Sequence, residues 1–218
     1  MPTITAVEKQ KRRQRADVYI DGVCALSLRL DVVVISGIAV GSELDARRRR
    51  EVEAEDQRLG AIEASLRMLA MGPRSERDLR DRLKRKSFRA QAVDTAVERM
   101  RELGYINDET YARTFIESRL AATPRSRRAL AFELGRKGVD REIAATAVAE
   151  LSDADAAYAA AQRRLRALRG LDRQAFTRRM GTFLASRGFG YGVARATIER
   201  CYRELNDAND ECDAEASF

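Results

Sequence analysis

The densest run of charged, chemically active side chains in the chain is basic. It is RSERDLRDRLKRKSFR, residues 74–89, with eight Lys and Arg against three acids. On a helix, at about 100° per residue, Arg77 and Arg85 fall beside or away from the stripe formed by Leu79 and Leu83. We therefore expect much of this charge to face solvent, where it can bind a polyanion by releasing counterions from the phosphates.

Two further basic runs follow along the chain. One spans residues 125–137 and the other residues 163–179, and residues 61–205 together carry 30 Lys and Arg against 19 Asp and Glu. If equivalent helices align, these charges form one basic track suited to nucleic acid. The alternative is an ordinary solvated surface, because many of these bases have an acid three or four residues away.

Aromatic side chains that read single-stranded bases should interleave with the basic residues. Most of the aromatic residues in this part of the chain lie on apolar stripes, so we expect core packing for them and weak sequence selectivity. Tyr191, flanked by Gly190 and Gly192, is the expected exception. The residues concerned are Tyr105, Tyr111, Phe115, Phe132, Tyr158, Phe176, Phe183, Phe189 and Tyr191.

Catalytic and metal-binding constellations are poorly represented. The chain has no histidine and three scattered cysteines, which excludes imidazole-based catalysis and CxxC zinc sites. The carboxylate pairs Asp108-Glu109 and Asp153/Asp155 open helices, where acids cap free amides. The segment GIAVG lacks the lysine and the spacing of a P-loop. We therefore predict a binding protein with no enzymatic activity, no cofactor and no metal.

Composition bounds the class of protein. The chain has 218 residues, 34% of them charged and 6% aromatic, with a formal charge of +7. No apolar run approaches the ~18 residues of a membrane span, and the start lacks the apolar core of a signal peptide. We expect a cytoplasmic protein that has no membrane partner.

The first forty residues are β-prone, and the rest is helical. Runs beginning at Ile4, Ala16 and Val23 predict a small meander with a turn at Asp21-Gly22. The segment LDVVVISG is compatible with a fourth strand or with one helical turn closed by Gly37. From Asp45 the first helix has an apolar stripe. This stripe consists of Val52, Leu59, Ile62, Leu66 and Leu69.

A repeat of about 50 residues organises the helical part. The strings RKSF, RKGV and SRGF end at Phe88, Val139 and Phe189, 51 and then 50 residues apart, each preceded by apolar residues at −9 and −5. The string is typical of a helix end, with a cation, a left-handed glycine and an apolar residue folding back. The chain is thus predicted to be all-α, with three tandem three-helix repeats stacked into a curved, elongated rod behind a small β-rich extension.

The predicted boundaries divide the chain into five segments. They are a β-rich extension at 1–44, repeats at 45–106, 107–152 and 153–205, and an acidic disordered tail at 206–218.

Several strings in the first two repeats resemble the RecX family of bacterial recombination regulators. The strings R-S-E-x-x-L-R-x-R-L at 74–83 and G-Y-I-N-D-x-x-Y-A at 104–112 carry the resemblance, together with Glu133, Leu134 and the Lys137-Gly138 pair. It covers residues 59–150 strongly and extends more weakly to 205. Ser87 departs from the glycine that the pattern prefers, which affects only a local helix end.

The resemblance implies a non-enzymatic modulator of the RecA recombinase. Such a protein binds the RecA filament on single-stranded DNA, and on this interpretation inhibits ATP hydrolysis, strand exchange and coprotease activity, tempering the SOS response. Double-stranded DNA is a second possible partner, and a monomer is expected. Matched to the family strings, the expected filament-binding residues are Arg74, Arg77, Arg80, Arg85, Lys86, Arg127, Arg128, Arg136 and Lys137.

Two other classes of function remain open from the residues alone. One is a sequence-nonspecific DNA- or RNA-binding protein without recombinase specificity, and the other is a helical adaptor that binds only protein. Within the resemblance, Glu133 has two possible roles: a functional residue of the family string or a structural ion-pair partner.

Overall fold

A computed structural model describes the backbone of residues 2–215 and the side chains of residues 2–206. The chain divides into two compact units, residues 1–107 and 108–218. The elements of the first unit are β1 (Ile4–Lys9), β2 (Arg15–Ile20), β3 (Val23–Arg29), α1 (Leu30–Ile35), α2 (Ala46–Ala70), α3 (Glu76–Arg85) and α4 (Ala90–Glu102). Those of the second are α5 (Asp108–Ala122), α6 (Arg127–Arg136), α7 (Arg141–Val148), α8 (Asp153–Leu165), α9 (Arg173–Ser186) and α10 (Tyr191–Glu215), with one 3-10 turn at Arg166–Leu168.

The N-terminal strands form the predicted meander. The sheet order is β1-β2-β3, and both pairs are antiparallel. Asp21 and Gly22 have φ values of 49° and 81°, the left-handed pair that a tight type I′ hairpin turn requires. The undecided segment after β3 is helix α1, whose Val32 is fully buried under the sheet with Val18. The small sheet is therefore stabilised by packing on helices rather than alone.

The remaining helices, α2 to α10, form the three predicted repeats of three. Each middle helix, α3, α6 and α9, has apolar residues nine and five positions before the last residue of the repeat signature, and all of them are 0% exposed. These pairs are Leu79 and Leu83, Leu130 and Leu134, and Met180 and Leu184.

The three middle helices also end in the same way. In each, the second residue past the helix is left-handed, with φ values of 63° at Ser87, 89° at Gly138 and 86° at Gly188. The amide of the next residue donates a hydrogen bond to the carbonyl five residues earlier, at 3.1–3.3 Å, which is the Schellman motif. The predicted helix ends are confirmed. The donor and acceptor pairs are Phe88 and Leu83, Val139 and Leu134, and Phe189 and Leu184.

The buried face of α2 differs from the predicted stripe. Val52 is buried as predicted, but Leu66 is 40% exposed. The face that packs with α4 carries mostly small side chains, which let two helices approach closely, so the larger residues are displaced to its edges. The prediction was Val52, Leu59, Ile62, Leu66 and Leu69, whereas the buried residues are Val52, Ala61, Ala64, Ser65 and Met68.

The last helix, α10, packs through the predicted positions Ala194, Ile198, Cys201 and Leu205, all of which are buried. The backbone of α10 remains helical through Glu215, so it includes part of the segment predicted as a disordered tail. The side chains of that tail beyond residue 206, and residues 216–218, lie outside the described residues.

Candidate nucleic-acid interface

The repeat places a cation at the same position of each middle helix. Counting 51 and then 50 residues aligns Arg77 on α3 with Arg128 on α6 and Arg178 on α9, and all three are exposed. A second set follows the helix ends, where a cation near the last carbonyls is favourable. Its members are Lys86, Lys137 and Arg187.

In the first repeat, two of the predicted binding residues are held in ion pairs. The Arg74 side chain is 19% exposed, and its Nη1 lies 3.0 Å from Asp78 Oδ2. Its Nε donates to the Met68 carbonyl at 3.1 Å, which links α3 to the end of α2. Arg80 is 28% exposed and pairs with both Glu76 and Asp94. Arg74 and Arg80 thus have local partners that compete with an external anion.

The carboxylates of these pairs stay charged. Burial opposes ionisation of Glu76, but hydrogen bonds from Arg101 and Arg80 outweigh it and lower the pKa of this carboxyl. Burial likewise opposes ionisation of Asp78, and there Arg82 and Arg74 lower the pKa. Glu76 and Asp78 therefore neutralise part of the positive charge on α3.

The other three predicted residues of the first repeat face solvent. Arg77, Arg85 and Lys86 are all exposed. The Arg85 Nε donates to the Asp81 carbonyl at 3.2 Å, a contact that leaves its charge unneutralised. Within the part of the chain that the structure describes, Arg77 and Lys86 have no ion-pair partner.

In the second repeat, all four predicted residues are exposed. Arg127, Arg128, Arg136 and Lys137 lie at the two ends of α6. The Arg127 Nη1 donates to the Ala149 carbonyl at 3.3 Å, so its charge is also uncompensated. Among the described residues, Arg128 and Arg136 form no ion pair.

An exposed aromatic residue lies between these two arginines. Phe132 is 67% exposed, and it is four residues from both Arg128 and Arg136, so the three share one face of α6. Core packing was the expectation for Phe132, and it is wrong: Phe132 is two residues, or about 200°, from both Leu130 and Leu134. The angle from these buried residues is the signal that identifies it.

The other aromatic residues divide into three groups. Tyr105, at 58%, is exposed against expectation, and Tyr191 is exposed, at 81%, as expected. Phe176 and Phe189 are buried in the core. The remaining predicted aromatics are half-buried. Cation–aromatic interleaving therefore occurs on α6 and at the start of α10.

An open groove of about 870 Å³ runs between α9 and α10. Tyr191 and Arg178 line it, together with Arg173, whose guanidinium carbon is 5.9 Å from the Tyr202 ring centroid. The third repeat thus also combines arginines with aromatic rings, although none of the nine expected filament-binding residues lies on α9 or α10.

Glu133 of the family string is a structural ion-pair partner. Its Oε2 lies 2.9 Å from Arg119 Nε, and its Oε1 lies 3.0 Å from Arg125 Nη1. The side chain is 18% exposed. It joins α5, the loop before α6, and α6 itself.

The candidate catalytic groups have structural roles. Asp153 Oδ1 accepts a hydrogen bond from the Arg127 amide at 2.7 Å. Ser152 is the N-cap of α8, and its side chain accepts a hydrogen bond from the Asp155 amide. Burial raises the pKa of the Cys201 thiol to about 11, which suppresses its thiolate.

In the described residues, no group of three or more Cys, Asp or Glu side chains could hold a metal ion. No described helix is both long and apolar enough to cross a bilayer.

Comparison with known proteins accounts for the three-fold repeat. Models of the first, second and third three-helix domains of RecX match residues 61–100, 107–148 and 152–198. The regulatory protein RecX of Streptomyces lividans is 36% identical over 142 residues, which cover 64% of this chain and 76% of the relative. The chain belongs to the RecX family.

Other RecX proteins match over nearly the full length. The regulatory protein RecX of Clostridium perfringens strain SM101 is 28% identical over 206 residues, 92% of this chain and 96% of the relative. A crystal structure of a regulatory protein RecX superposes with a TM-score of 0.65 at 22% identity, covering 91% of this chain and all of that one. The RecX fold thus extends to the N-terminal part of the chain as well as the repeats.

Proposed function

We propose that this RecX-family protein is a non-enzymatic negative regulator of the RecA recombinase. It binds the RecA filament on single-stranded DNA and inhibits the ATPase, strand-exchange and coprotease activities, and so tempers DNA repair, recombination and the SOS response. Family membership supports the regulatory role. The observation that carries the proposal is the exposed arginine at the same position of all three middle helices.

The exposed cations contact DNA phosphates or acidic filament side chains. Each phosphate neutralised by a Lys or Arg releases counterions, giving affinity that does not depend on sequence. Phe132, between Arg128 and Arg136, adds an apolar ring that can stack on an unpaired base. Arg74 and Arg80 contribute less, because Asp78, Glu76 and Asp94 already neutralise them.

The proposal includes an organisation and a location for the protein. Its repeats are residues 45–106, 107–152 and 153–205, behind a β-rich extension at 1–44 that braces the first helix. It acts as a monomer in the cytoplasm, where the recombinase filament assembles. It requires no cofactor.

The test is DNA-dependent ATP hydrolysis by the cognate RecA recombinase, with this protein titrated from sub-stoichiometric amounts upward. We expect inhibition well below one protein per recombinase monomer, because a regulator that blocks filament growth acts on few sites. Full ATPase activity at equimolar protein would contradict the proposal.

The same preparation distinguishes the two alternative functions. Single-stranded DNA affinity measured against salt concentration should fall with a slope of about −0.7 for each phosphate contact. A salt-dependent affinity without ATPase inhibition would identify a general nucleic-acid binder. ATPase inhibition with no DNA affinity of its own would identify an adaptor that contacts only protein.

A further inference from the structure

A second concentration of positive charge lies in the second unit, where the end of α5, the loop before α6, α8 and the end of α9 meet. It surrounds the Arg187 side chain at the end of α9, whose guanidinium carbon is 4.4 Å from the Phe183 ring centroid. The Arg164 guanidinium approaches the same ring at 5.8 Å. We define the arginine cluster as Arg119, Arg125, Arg163, Arg164 and Arg187.

The arginine cluster is poorly neutralised. Among the described residues its one carboxylate partner is Glu133, which Arg119 and Arg125 share at 2.9 and 3.0 Å. Arg163 donates to the backbone carbonyls of residues 121 and 122 at 2.8 and 2.6 Å, and these contacts carry no compensating charge. Five guanidinium groups against one carboxylate leave a formal excess of four positive charges among these described residues.

The arginine cluster also contains buried donors that have no hydrogen-bond acceptor. The Nε atoms of Arg119, Arg125 and Arg187 are buried and have no hydrogen-bond partner among the described residues, and neither has Thr123 Oγ1. Arg119 Nε lies 2.9 Å from Glu133 Oε2, so this ion pair serves as its partner even though the angle falls outside hydrogen-bond geometry. A guanidinium can only donate, and buried donors are nearly always paired in folded proteins. Two donors without any partner in one place, Arg125 Nε and Arg187 Nε, indicate an external ligand rich in acceptors.

The electrostatics of Arg187 agree with this geometry. Burial, followed by repulsion from Arg125, Arg163 and Arg164, lowers the pKa of its guanidinium. Like charges gathered without counter-charge destabilise the fold, and an anion bound among them reverses that effect.

We propose that the arginine cluster is a phosphate-binding site, occupied by a phosphodiester group of single-stranded DNA. A phosphate offers several acceptor oxygens, and the planar guanidinium matches it with paired N–H donors. The phosphate chemistry follows from the cluster itself, and the DNA source rests on the proposed function. This site is separate from the nine exposed or paired residues of the family strings.

The first experiment measures thermal unfolding of the full chain in inorganic phosphate and in chloride at equal ionic strength. The variants are Arg187→Gln and Arg164→Gln, with Arg141→Gln as the charge-matched control, because Arg141 is exposed on α7, which contributes nothing to the cluster. Phosphate also stabilises folded proteins non-specifically, so the phosphate response is compared between variants, and R141Q corrects for the loss of one positive charge outside the cluster. We expect R187Q and R164Q to lose the extra stabilisation that the wild type and R141Q show.

The second experiment measures single-stranded DNA affinity against salt with the same variants. R187Q should weaken binding about tenfold, the value of one charged hydrogen-bond pair, and reduce the salt slope by about 0.7. R164Q should act in the same direction and covers the case in which R187Q does not fold.

Two outcomes would overturn the proposal in different ways. An equal phosphate response in all four proteins would eliminate the site. A lost phosphate response with an unchanged DNA salt slope would eliminate the phosphodiester and assign the site to a free phosphate. Neither measurement involves recombinase, so failure of the regulatory proposal is seen separately, in the ATPase assay.

Discussion

Helices α3 and α6 occupy the same place in successive repeats and differ in what surrounds their arginines. On α3, acids hold Arg74 and Arg80, and Asp81 occupies the position between Arg77 and Arg85. On α6, the equivalent position between Arg128 and Arg136 is Phe132, and the acid of that helix, Glu133, points to Arg119 and Arg125. The density of basic residues in a sequence therefore does not measure how well a helix can bind an anion, because acids one turn away neutralise some of those residues.

The cores of the two repeats should be equivalent even though their surfaces are not. Leu79 and Leu130 are both 0% exposed and hold the same position in their helices. Leu79→Ala and Leu130→Ala should each lower the free energy of unfolding by about 2–5 kcal/mol, the cost of a cavity that the core cannot close. Urea denaturation measures both, and a cost below 1 kcal/mol for either would break the equivalence.

The surfaces should separate in DNA binding. Arg128→Gln with Arg136→Gln should reduce the salt slope for single-stranded DNA by about 1.4, at about 0.7 for each phosphate contact. The matched control is Arg74→Gln with Arg80→Gln, which removes the same charge from two paired arginines. We expect the control to change the slope by less than half as much. Equal slopes for the two double variants would show that the ion pairs of α3 open on binding.

The aromatic residue of α6 should contribute independently of charge. Phe132→Ala should weaken single-stranded DNA binding by about 1–3 kcal/mol, the cost of losing one base stack, with the salt slope unchanged. The exposed position of Phe132 makes a large loss of folding stability unexpected. Unaltered affinity in a fluorescence anisotropy titration would exclude base stacking there.

A substitution at the C-terminal end of α3 should stabilise the protein, whereas a substitution at the equivalent position of α9 should destabilise it. Ser87 has φ 63°, where a side chain is strained, so Ser87→Gly should raise the free energy of unfolding by up to about 1 kcal/mol. Gly188→Ala should destabilise more strongly than the strain alone, because an added Cβ would lie 2.7 Å from Ser126 Oγ and 2.9 Å from Ala129 Cβ. Thermal unfolding of both variants tests the difference, and a stabilising G188A would contradict it.

The smallest effect concerns pH. The folded state lowers the pKa of Glu76, so this carboxylate stabilises the protein above its unfolded pKa, about 4.3, and the contribution is lost as pH falls through the folded value. Glu76→Gln should therefore cost a few tenths of a kcal/mol at pH 7, as ion pairs near the surface do, and progressively less as the pH falls below about 4.3. The equivalent residue on α6 is Arg127, which has no carboxylate, so the second repeat has no matching pH-dependent contribution to stability at this position. A pH-independent difference between E76Q and the wild type would exclude the ion pairs as its cause.

The parts of the fold that sequence could predict are those fixed by local chemistry. The Schellman ends and the apolar pairs of α3, α6 and α9 depend on residues within one or two helical turns, so they can be recognised from the local sequence. On α2 the predicted stripe included Leu66, which is exposed, and missed Ala61 and Ala64, because such alanines are buried only when another helix approaches closely, which is a tertiary effect. Hydrophobicity alone assigns such alanines no preference over Leu66.

The candidate site was predictable in composition but not in pairing. The sequence places an acid four residues from both Arg77 and Arg80, and only the structure shows that Arg80 is paired, with Glu76 and with Asp94 on a neighbouring helix, while Arg77 forms no ion pair among the described residues. The arginine cluster is invisible for the same reason, since Arg119 and Arg187 are far apart in the chain. The exposure of Phe132 could have been predicted, because its position about 200° from Leu130 on the helix indicates a solvent-facing side chain, whereas its apolar residue type indicated core packing.

The start of α6 has a consequence for how the chain is made. The amide of Ser126 donates to the Arg187 carbonyl at 3.2 Å, and that of Arg127 donates to Asp153. Both acceptors are synthesised later than the helix they complete, Arg187 about sixty residues later. At a translation rate of roughly 5–20 residues per second, the acceptors follow these two amides by about 1 to 12 seconds. The start of α6 is therefore completed only after part of the third repeat has been synthesised.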